Sequence, residues 1–382
     1  MDPDVIVSGA GPAGAFAAVL LARAGVRVTL IDRETFPRHK LCGDTLNPGG
    51  LALLRRHRLH EPIEQHGVPL DGMLVTGESG VRISGTYGPG LVGRAWCRSA
   101  LDQQLLHAAA SAGAEVRTGV LVQEPYLSHA AGRVGGVRLK TGDGRSEVLR
   151  ARWTIAADGR RSRLALALGL IRQPAQPRRW AIGTYASGVS ELGTLGEMHV
   201  RRGHYIGVAP AAGGAANLCL VTADRAGLHD PARRLWAALH ADPLLRERCA
   251  QARPETPVVL LGPLAVDART AGAPGLLLAG DAAGFIDPMT GDGLHLALQG
   301  GRLAADVLVE GWTWADDAVI ARLQRRRRAV VGGKLRFNRA LRLLVGWPMG
   351  VRLGAAGAAV LPSVLQRVIA TAGDVSRATE AA

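Results

Sequence analysis

The chain is poor in lysine, aromatic residues and cysteine, and it lacks any long apolar run. Of 46 basic residues only three are lysines, Lys40, Lys140 and Lys334, and the aromatic content is 4%. Arginine in place of lysine, in a chain with 50 glycines and abundant alanine, matches a bias toward GC-rich codons. That bias does not account for only 32 carboxylates and a net charge of +14, so a preference for acidic ligands or an anionic surface stays open. Arginine runs without interleaved aromatics or a reading motif give no support to nucleic-acid binding. The cysteines, Cys42, Cys97, Cys219 and Cys249, form no CxxC pair. A disulfide scaffold and a zinc site are therefore not expected, and no HExxH or facial triad suggests another metal. No stretch reaches the roughly 18 to 20 apolar residues of a spanning helix. The nearest, residues 353–366, is broken by Pro362. The start of the chain runs straight into a β-type segment, which predicts no cleaved leader and a cytoplasmic, thiol-reducing location. There is no GxSxG elbow, no internal repeat and no low-complexity linker.

What is present is a chain that can bury a core. Hydrophobic residues make up 47% and charged residues 20% of 382, enough for two or three lobes at about 150 residues each. The first 31 residues read as a β-α-β unit: Val5 to Val7, a glycine turn, a helix-period run from Ala13 to Ala24, Gly25 as its cap, then Val26 to Ile31. Residues 33–50 look like a functional loop. Residues 97–112 form an amphipathic helix, and 120–157 alternate as a β-meander. From 177 to 266 the pattern is mostly β, with strands at Trp180–Tyr185, Glu197–Val200, Tyr205–Val208 and Asn217–Val221, followed by helices near 231–252. Residues 275–279 return to a buried strand, and a helix runs from about Gly293 to Val309. The last 60 residues are helical and basic, with the Arg325 to Arg328 run ending one helix.

The chemistry is carried by ordered glycine and aspartate motifs. Gly9-Ala10-Gly11-Pro12-Ala13-Gly14 follows a strand and opens a helix. Gly9 permits the turn, Gly11 lets backbone approach a pyrophosphate, Gly14 allows close packing, and the helix end supplies free N–H groups. Asp32 closes the second strand, where a carboxylate accepts ribose hydroxyls and disfavours a 2′-phosphate. That selects FAD or NAD over NADP for this half. Ile155 to Arg163 is a strand entering an Asp158-Gly159 turn, and Leu276 to Gly284 is a strand ending in Gly280-Asp281. A carboxylate at that strand end points into the cofactor crevice.

Together these motifs resemble those of the FAD-dependent group A hydroxylase superfamily, which shares the p-hydroxybenzoate hydroxylase fold. The run from Gly280 to Leu294, GDAAGFIDPMTGDGL, resembles the GDAAGxxDPxTGEG segment of its geranylgeranyl reductase-like branch. Phe36 to Asp44 is similar to that branch's KxCG loop, and Arg98 with Leu101-Asp102 to its RxxLD helix. The resemblance covers residues 1 to about 310. It implies an α/β fold: a Rossmann-like FAD-binding lobe with an inserted mixed β-sheet substrate lobe and a helical C-terminus. The lobes expected are 1–176, with β excursions near 60–90 and 120–150, then 177–264 for substrate, 265–312 returning to FAD, and 313–382 as a helical cap.

The cofactor residues so implied are Gly9, Gly11, Pro12, Ala13, Gly14, Asp32, Arg33, Lys40, Cys42, Gly43, Arg98, Leu121, Asp158, Gly159, Arg163, Gly280, Asp281, Pro288, Gly291, Asp292, Gly293 and Leu294. The helix opened by residues 290–293 would stabilise negative charge on the reduced flavin. Cys42 is a proton-donor candidate or a small loop residue, and His295 a flavin-edge candidate or a packed histidine. The other three cysteines read as core thiols.

Two departures bear on substrate. Where reductases of this branch carry YxWxFP, this chain has Tyr205-Ile206-Gly207-Val208-Ala209-Pro210, so Tyr205 and Pro210 remain while both aromatic walls are gone. The WxWxIP signature of flavin halogenases is missing. The favoured expectation is reduction of a C=C bond in a small hydrophobic isoprenoid- or polyketide-like substrate, with NAD(P)H or an electron-carrier protein as donor. A monooxygenase using NAD(P)H and O2, and a flavin-binding module without turnover, are the alternatives. The basic apolar tail suits either an anionic inner-membrane surface or a cap over the core.

Overall fold

The computed structural model describes residues 1–78, 80–128, 132–142, 144–174, 178–285, 289, 291–345, 369–371 and 373. Most of the apolar tail and the motif positions Pro288 and Thr290 lie outside these residues. In chain order the elements that frame the site begin with strand β1 (Val5–Ser8), helix α1 (Pro12–Arg23), β2 (Val28–Asp32) and α2 (Pro48–Arg56). Next come β3 (Gly72–Thr76), β4 (Arg82–Thr86), α3 (Arg98–Ser111), β5 (Glu115–Thr118) and β6 (Trp153–Ala156). Then follow β7 (Trp180–Ser187), β8 (Leu195–Arg201), β9 (His204–Pro210), β10 (Ala216–Thr222), α4 (Pro231–Ala241), β11 (Leu276–Leu278), α5 (Gly293–Glu310) and α6 (Asp316–Val345).

The first sheet runs Gly272–Ala273, β11, β6, β1, β2, β5, and all its pairings except the first are parallel. Its central strands β1, β2, β6 and β11 are buried at every position, as strands covered on both faces are. α1 packs on one side of this sheet between α3 and α5. The crossing with α5 is close because Gly301 has no side chain: a Cβ there would sit 2.1 Å from the Ala13 carbonyl oxygen. An antiparallel meander of Leu121–Leu127, Val134–Lys140 and Ser146–Arg150 covers the other side.

The second sheet is larger, ordered Arg253–Pro254, β7, β10, β9, β8, β3, β4, with Val259–Leu261 also paired to β7. β3 and β4 therefore belong to this sheet, not to the first. β3 adds to β8 in parallel and buries alternate residues, a long-range pairing that local patterning does not announce. The strands expected between 180 and 221 form within a residue or two of their expected limits. α4 is capped by the Asp230 side chain, which accepts from Arg233 N at 3.0 Å, and packs on this sheet's outer face.

One expected helix end is corrected. The Arg325 to Arg328 run lies inside α6, which continues to Val345. Arginine is a good helix former, and Arg326 is anchored by both guanidinium nitrogens to Glu310 of α5 at 2.8 Å. No helix among the described residues is long and apolar enough to cross a membrane.

Candidate functional site

β1 delivers the chain to Gly9, whose φ of +100° and whose fit against the Ala157 carbonyl, 2.5 Å from any Cβ, admit only glycine. Gly14 meets the Gly9 carbonyl at 1.9 Å by the same construction. Gly11 is different: its Cβ would project toward the Arg38 and Arg98 guanidinium groups, at 3.3 and 3.9 Å. α1 starts at Pro12 with no side chain capping its first N–H groups, so they are free for an anion. At the end of β2, Asp32 accepts from Ala10 N at 2.7 Å and Glu34 N at 2.9 Å, which fixes the carboxylate at the cleft mouth.

That cleft has a water-accessible volume of about 550 Å³. Arg33, Lys40, Leu121, Asp158, Gly159 and Arg163 join Gly9, Gly11 and Asp32 in its walls. Asp158 accepts from Arg163 N at 3.1 Å, and burial pushes its carboxyl up from the usual range. Arg98 is held by Asp102 through Nε–Oδ1 at 2.9 Å and Nη2–Oδ2 at 2.7 Å. Burial alone would pull its pKa down, but the Asp102 charge outweighs this and keeps the guanidinium ionised. Burial, and Arg98 beside it, lower the Lys40 pKa, while Asp281 pulls it back up. Arg38, Lys40 and Arg98 thus gather at the open end of α1, a charge balance that fits a dianionic pyrophosphate.

Through walls shared at Gly11, Lys40 and Gly159, the cleft adjoins a second cavity walled by Pro12, Ala13, Lys40, Cys42, Gly43, Arg98, Gly280, Asp281, Gly291, Gly293 and Leu294. A Cβ added at Gly280 (φ +58°) would come within 2.8 Å of the Ala13 methyl, and Gly291 (φ +63°) is tied to the KxCG loop by the Thr45 hydroxyl, which donates to its carbonyl at 3.0 Å. Cβ positions at Gly43 and Gly293 would meet no described residue within 4 Å, and Asp292 does not cap α5 with its side chain. Here too, helix N–H groups face open space. This cavity shares Gly43, Thr45, Cys219 and Gly291 with a third, apolar chamber walled by Leu70, Met73, Met198, Tyr205, Val208, Val221 and Met289.

The FAD binding domain model matches residues 2–338, and the uncapped helix ends, arginine cluster and glycine cradle fit that cofactor. The chain belongs to the FAD-binding domain family. It is an FAD-dependent oxidoreductase of the geranylgeranyl reductase-like branch. A menaquinone reductase of Mycolicibacterium smegmatis is 32% identical over 81% of this chain and 76% of its own. A digeranylgeranylglycerophospholipid reductase of Methanopyrus kandleri is 33% identical over 81% and 78%. Among solved structures, a flavin-dependent brominase aligns at a TM-score of 0.83 with 19% identity, covering 98% of this chain and 94% of its own. The myxobacterial chondrochloren halogenase CndH aligns at 0.81 with 21% identity over 95% and 90%. These two show the shared fold.

Within this flavoprotein the site residues named from sequence are not all equally placed. Cys42 stands in the wall of the second cavity, and burial pushes its thiol up while Arg98 opposes that. Cys219, read as a core thiol, also lines that wall. Tyr205 lines the apolar chamber; Pro210, at the end of β9, is buried in the sheet and lines none of the three cavities. His295 is 1% exposed on the α2 side of α5, against Gly50, with Gln299 Nε2 at 3.2 Å from its Nε2, and lines none of them either. Pro288 lies outside the described residues.

Sequence reasoning missed one cluster of this FAD-binding chain. Asp44, at φ +56°, accepts from Asn217 Nδ2 at 2.7 Å and from the Tyr185 hydroxyl. Asn217 Nδ2 also donates to the Cys42 carbonyl at 2.6 Å. The left-handed backbone at a non-glycine directly after Gly43 is the strain that marks it.

Proposed function

We propose that this flavoprotein reduces a carbon–carbon double bond in a hydrophobic isoprenoid-like molecule, with electrons from NAD(P)H or a carrier protein. The supporting observation is the apolar, methionine-rich chamber that opens onto the Cys42 and Gly291 cavity through shared walls. Met73, Met198 and Met289 offer an adaptable surface suited to a flexible alkyl chain rather than to a flat polar ring. The sequence relatives are named for a quinone and for a digeranylgeranyl lipid, in keeping with that wall. Bound FAD supplies hydride chemistry; the chain supplies binding and orientation.

In this reading Asp32 takes the adenosine ribose, Arg38 and Arg98 the pyrophosphate, and Asp281 the ribitol. Gly291, Asp292 and Gly293 present the α5 N-terminus to the flavin ring. The decisive experiment incubates the FAD-loaded protein with NAD(P)H and polyprenyl lipids or quinones, with and without oxygen. A product heavier by two hydrogens in both cases is expected. A product heavier by one oxygen atom, formed only with O2, overturns the reading in favour of a monooxygenase.

A further inference from the structure

Asp44 occupies the seam between the flavin-side cavity and the apolar chamber. Its chain neighbours Gly43 and Thr45 line both, and its partner Asn217 lines the chamber. Strand alternation places Tyr185 on the same sheet face as Ala181, and Asn217 on the same face as Cys219 and Val221, the face that walls these cavities. Asp44 as a whole is only 3% exposed. Among the described residues the Asn217 amide and the Tyr185 hydroxyl donate to Oδ2, whereas Oδ1 is buried and no described side chain donates to it.

A carboxylate in that setting leaves one buried, charged oxygen without a side-chain donor, which is costly. A carboxylic acid puts a proton on Oδ1 and leaves Oδ2 to accept. Arg98 offsets this only in part: its charge and its backbone N–H favour the ionised form, but its guanidinium is committed to Asp102 by both prongs and burial outweighs the pull. The other titratable groups acting on Asp44 are Cys42 on its own loop and Tyr185 on β7, and Cys97, just before α3, acts on Tyr185 in turn. Burial pushes the Asp44 carboxyl up to about 6, against the pull of Tyr185, Asn217 and Arg98. Burial and Asp44 itself hold the Tyr185 phenol far above its usual range, so the phenol stays neutral and orients the acid.

We propose that Asp44, oriented by Tyr185 and Asn217, is the proton store for reduction in this site, delivering its proton through water in the chamber to the substrate. This rests on the double-bond reduction proposed above. One alkene carbon accepts a hydride, hydrogen with both electrons, from reduced FAD, and the π bond breaks. The adjacent carbon takes the proton from Asp44 by way of the water, so each carbon gains one C–H bond. Asp44 is left as carboxylate and regains a proton from solvent. Acting through water, it is a positioning residue and not a group in contact with substrate.

The experiment uses the FAD-loaded full chain with the substrate that gives the two-hydrogen product. Wild-type turnover is expected to fall as pH rises through the Asp44 titration, and infrared difference spectra to show a protonated carboxyl band that is lost over the same interval. Asp44→Asn is expected to keep its flavin absorbance, lose that band and lose about 100-fold or more in turnover. Asp44→Glu should recover part of the turnover. Tyr185→Phe, which removes a hydrogen bond that lowers the Asp44 pKa, should move both limb and band to higher pH. A wild-type pH limb that persists unchanged in Asp44→Asn, or a carboxyl band insensitive to both substitutions, overturns the proposal. If Asp44→Asn does not fold, the Tyr185→Phe shift decides. Wild-type enzyme yielding no two-hydrogen product instead overturns the reduction reading, and the carboxyl band still reports on Asp44 by itself.

Discussion

Arg98 and Asp102 stand one turn apart on α3 and close a two-pronged ion pair, with Asp102 fully buried. Arg38, from the loop after β2, reaches the same Asp102 oxygen at 3.1 Å. One carboxylate therefore sets the direction of two guanidinium groups beside the open end of α1. Removing it leaves two cations facing each other with little solvent. Asp102→Ala is expected to destabilise the protein by about 3 to 5 kcal/mol, the usual cost of breaking a buried pair from one side. It should also lower flavin content, since the arginines lose their orientation. Chemical denaturation and flavin absorbance measure the two effects; unchanged values in both would remove Asp102 from this role.

Gly11 is the residue of the glycine turn whose missing side chain faces the cleft rather than its own backbone. A valine there meets the Arg38 guanidinium and occupies the space in front of the α1 N–H groups. Gly11→Val is expected to abolish FAD retention while the melting temperature without added FAD changes little. Gly14→Val, whose Cβ would collide with the Gly9 carbonyl, should instead fail to fold stably. Purified protein colour and thermal melts separate these outcomes.

The parts of the site that were legible in the sequence are the ones built locally. The Gly9 to Gly14 turn with Asp32, the Asp158-Gly159 turn and the Gly280-Asp281 turn each sit at the end of a short apolar strand, so strand periodicity and turn chemistry point to them together. Asp44, Tyr185 and Asn217 could not be read that way. They come from a loop and two strands more than 140 and 170 positions away from that loop, joined only by the pairing of β7 with β10. β3 was assigned no place in the second sheet for the same reason: its parallel partner β8 lies more than a hundred residues downstream. His295, which follows the TGDG turn, read from sequence as either a flavin-edge residue or a packed histidine, and helical rotation turns it toward Gly50 of α2.

Asp292 links the flavin-side turn to the C-terminal helix. Asn338 of α6 donates to its Oδ2 at 3.0 Å, and Lys334 lies 3.4 Å from the same oxygen. All three side chains are less than 10% exposed. Replacing Lys334 by methionine keeps the alkyl stem and removes the charge. Lys334→Met is expected to cost about 1 to 3 kcal/mol and to weaken FAD binding, because Asp292 precedes the first turn of α5. Titrating apoprotein with FAD, alongside urea unfolding, tests this. Stability loss without any change in FAD affinity would confine α6 to a packing role.

The Asp44 carboxyl gives the stability of the protein a definite pH dependence. Its folded-state pKa, about 6, lies above the ordinary 3.8, so the folded chain binds this proton more tightly than the unfolded chain does. Below about 4 both states are protonated and the group contributes nothing to the difference. As pH rises through the interval from 4 to 6 the unfolded chain ionises first, and stability falls by about 1.4 kcal/mol per pH unit. Above 6 the full penalty is present, on the order of 3 kcal/mol. Asp44→Asn removes the ionisation, and asparagine accepts the left-handed backbone as readily as aspartate. The variant is therefore expected to be more stable than wild type at pH 8, with the difference shrinking toward acid and closing near pH 4. Urea unfolding of both proteins across that range measures it. A variant less stable than wild type at pH 8, or a difference that does not change with pH, would mean that the folded-state pKa of Asp44 is not raised and that its charge is compensated.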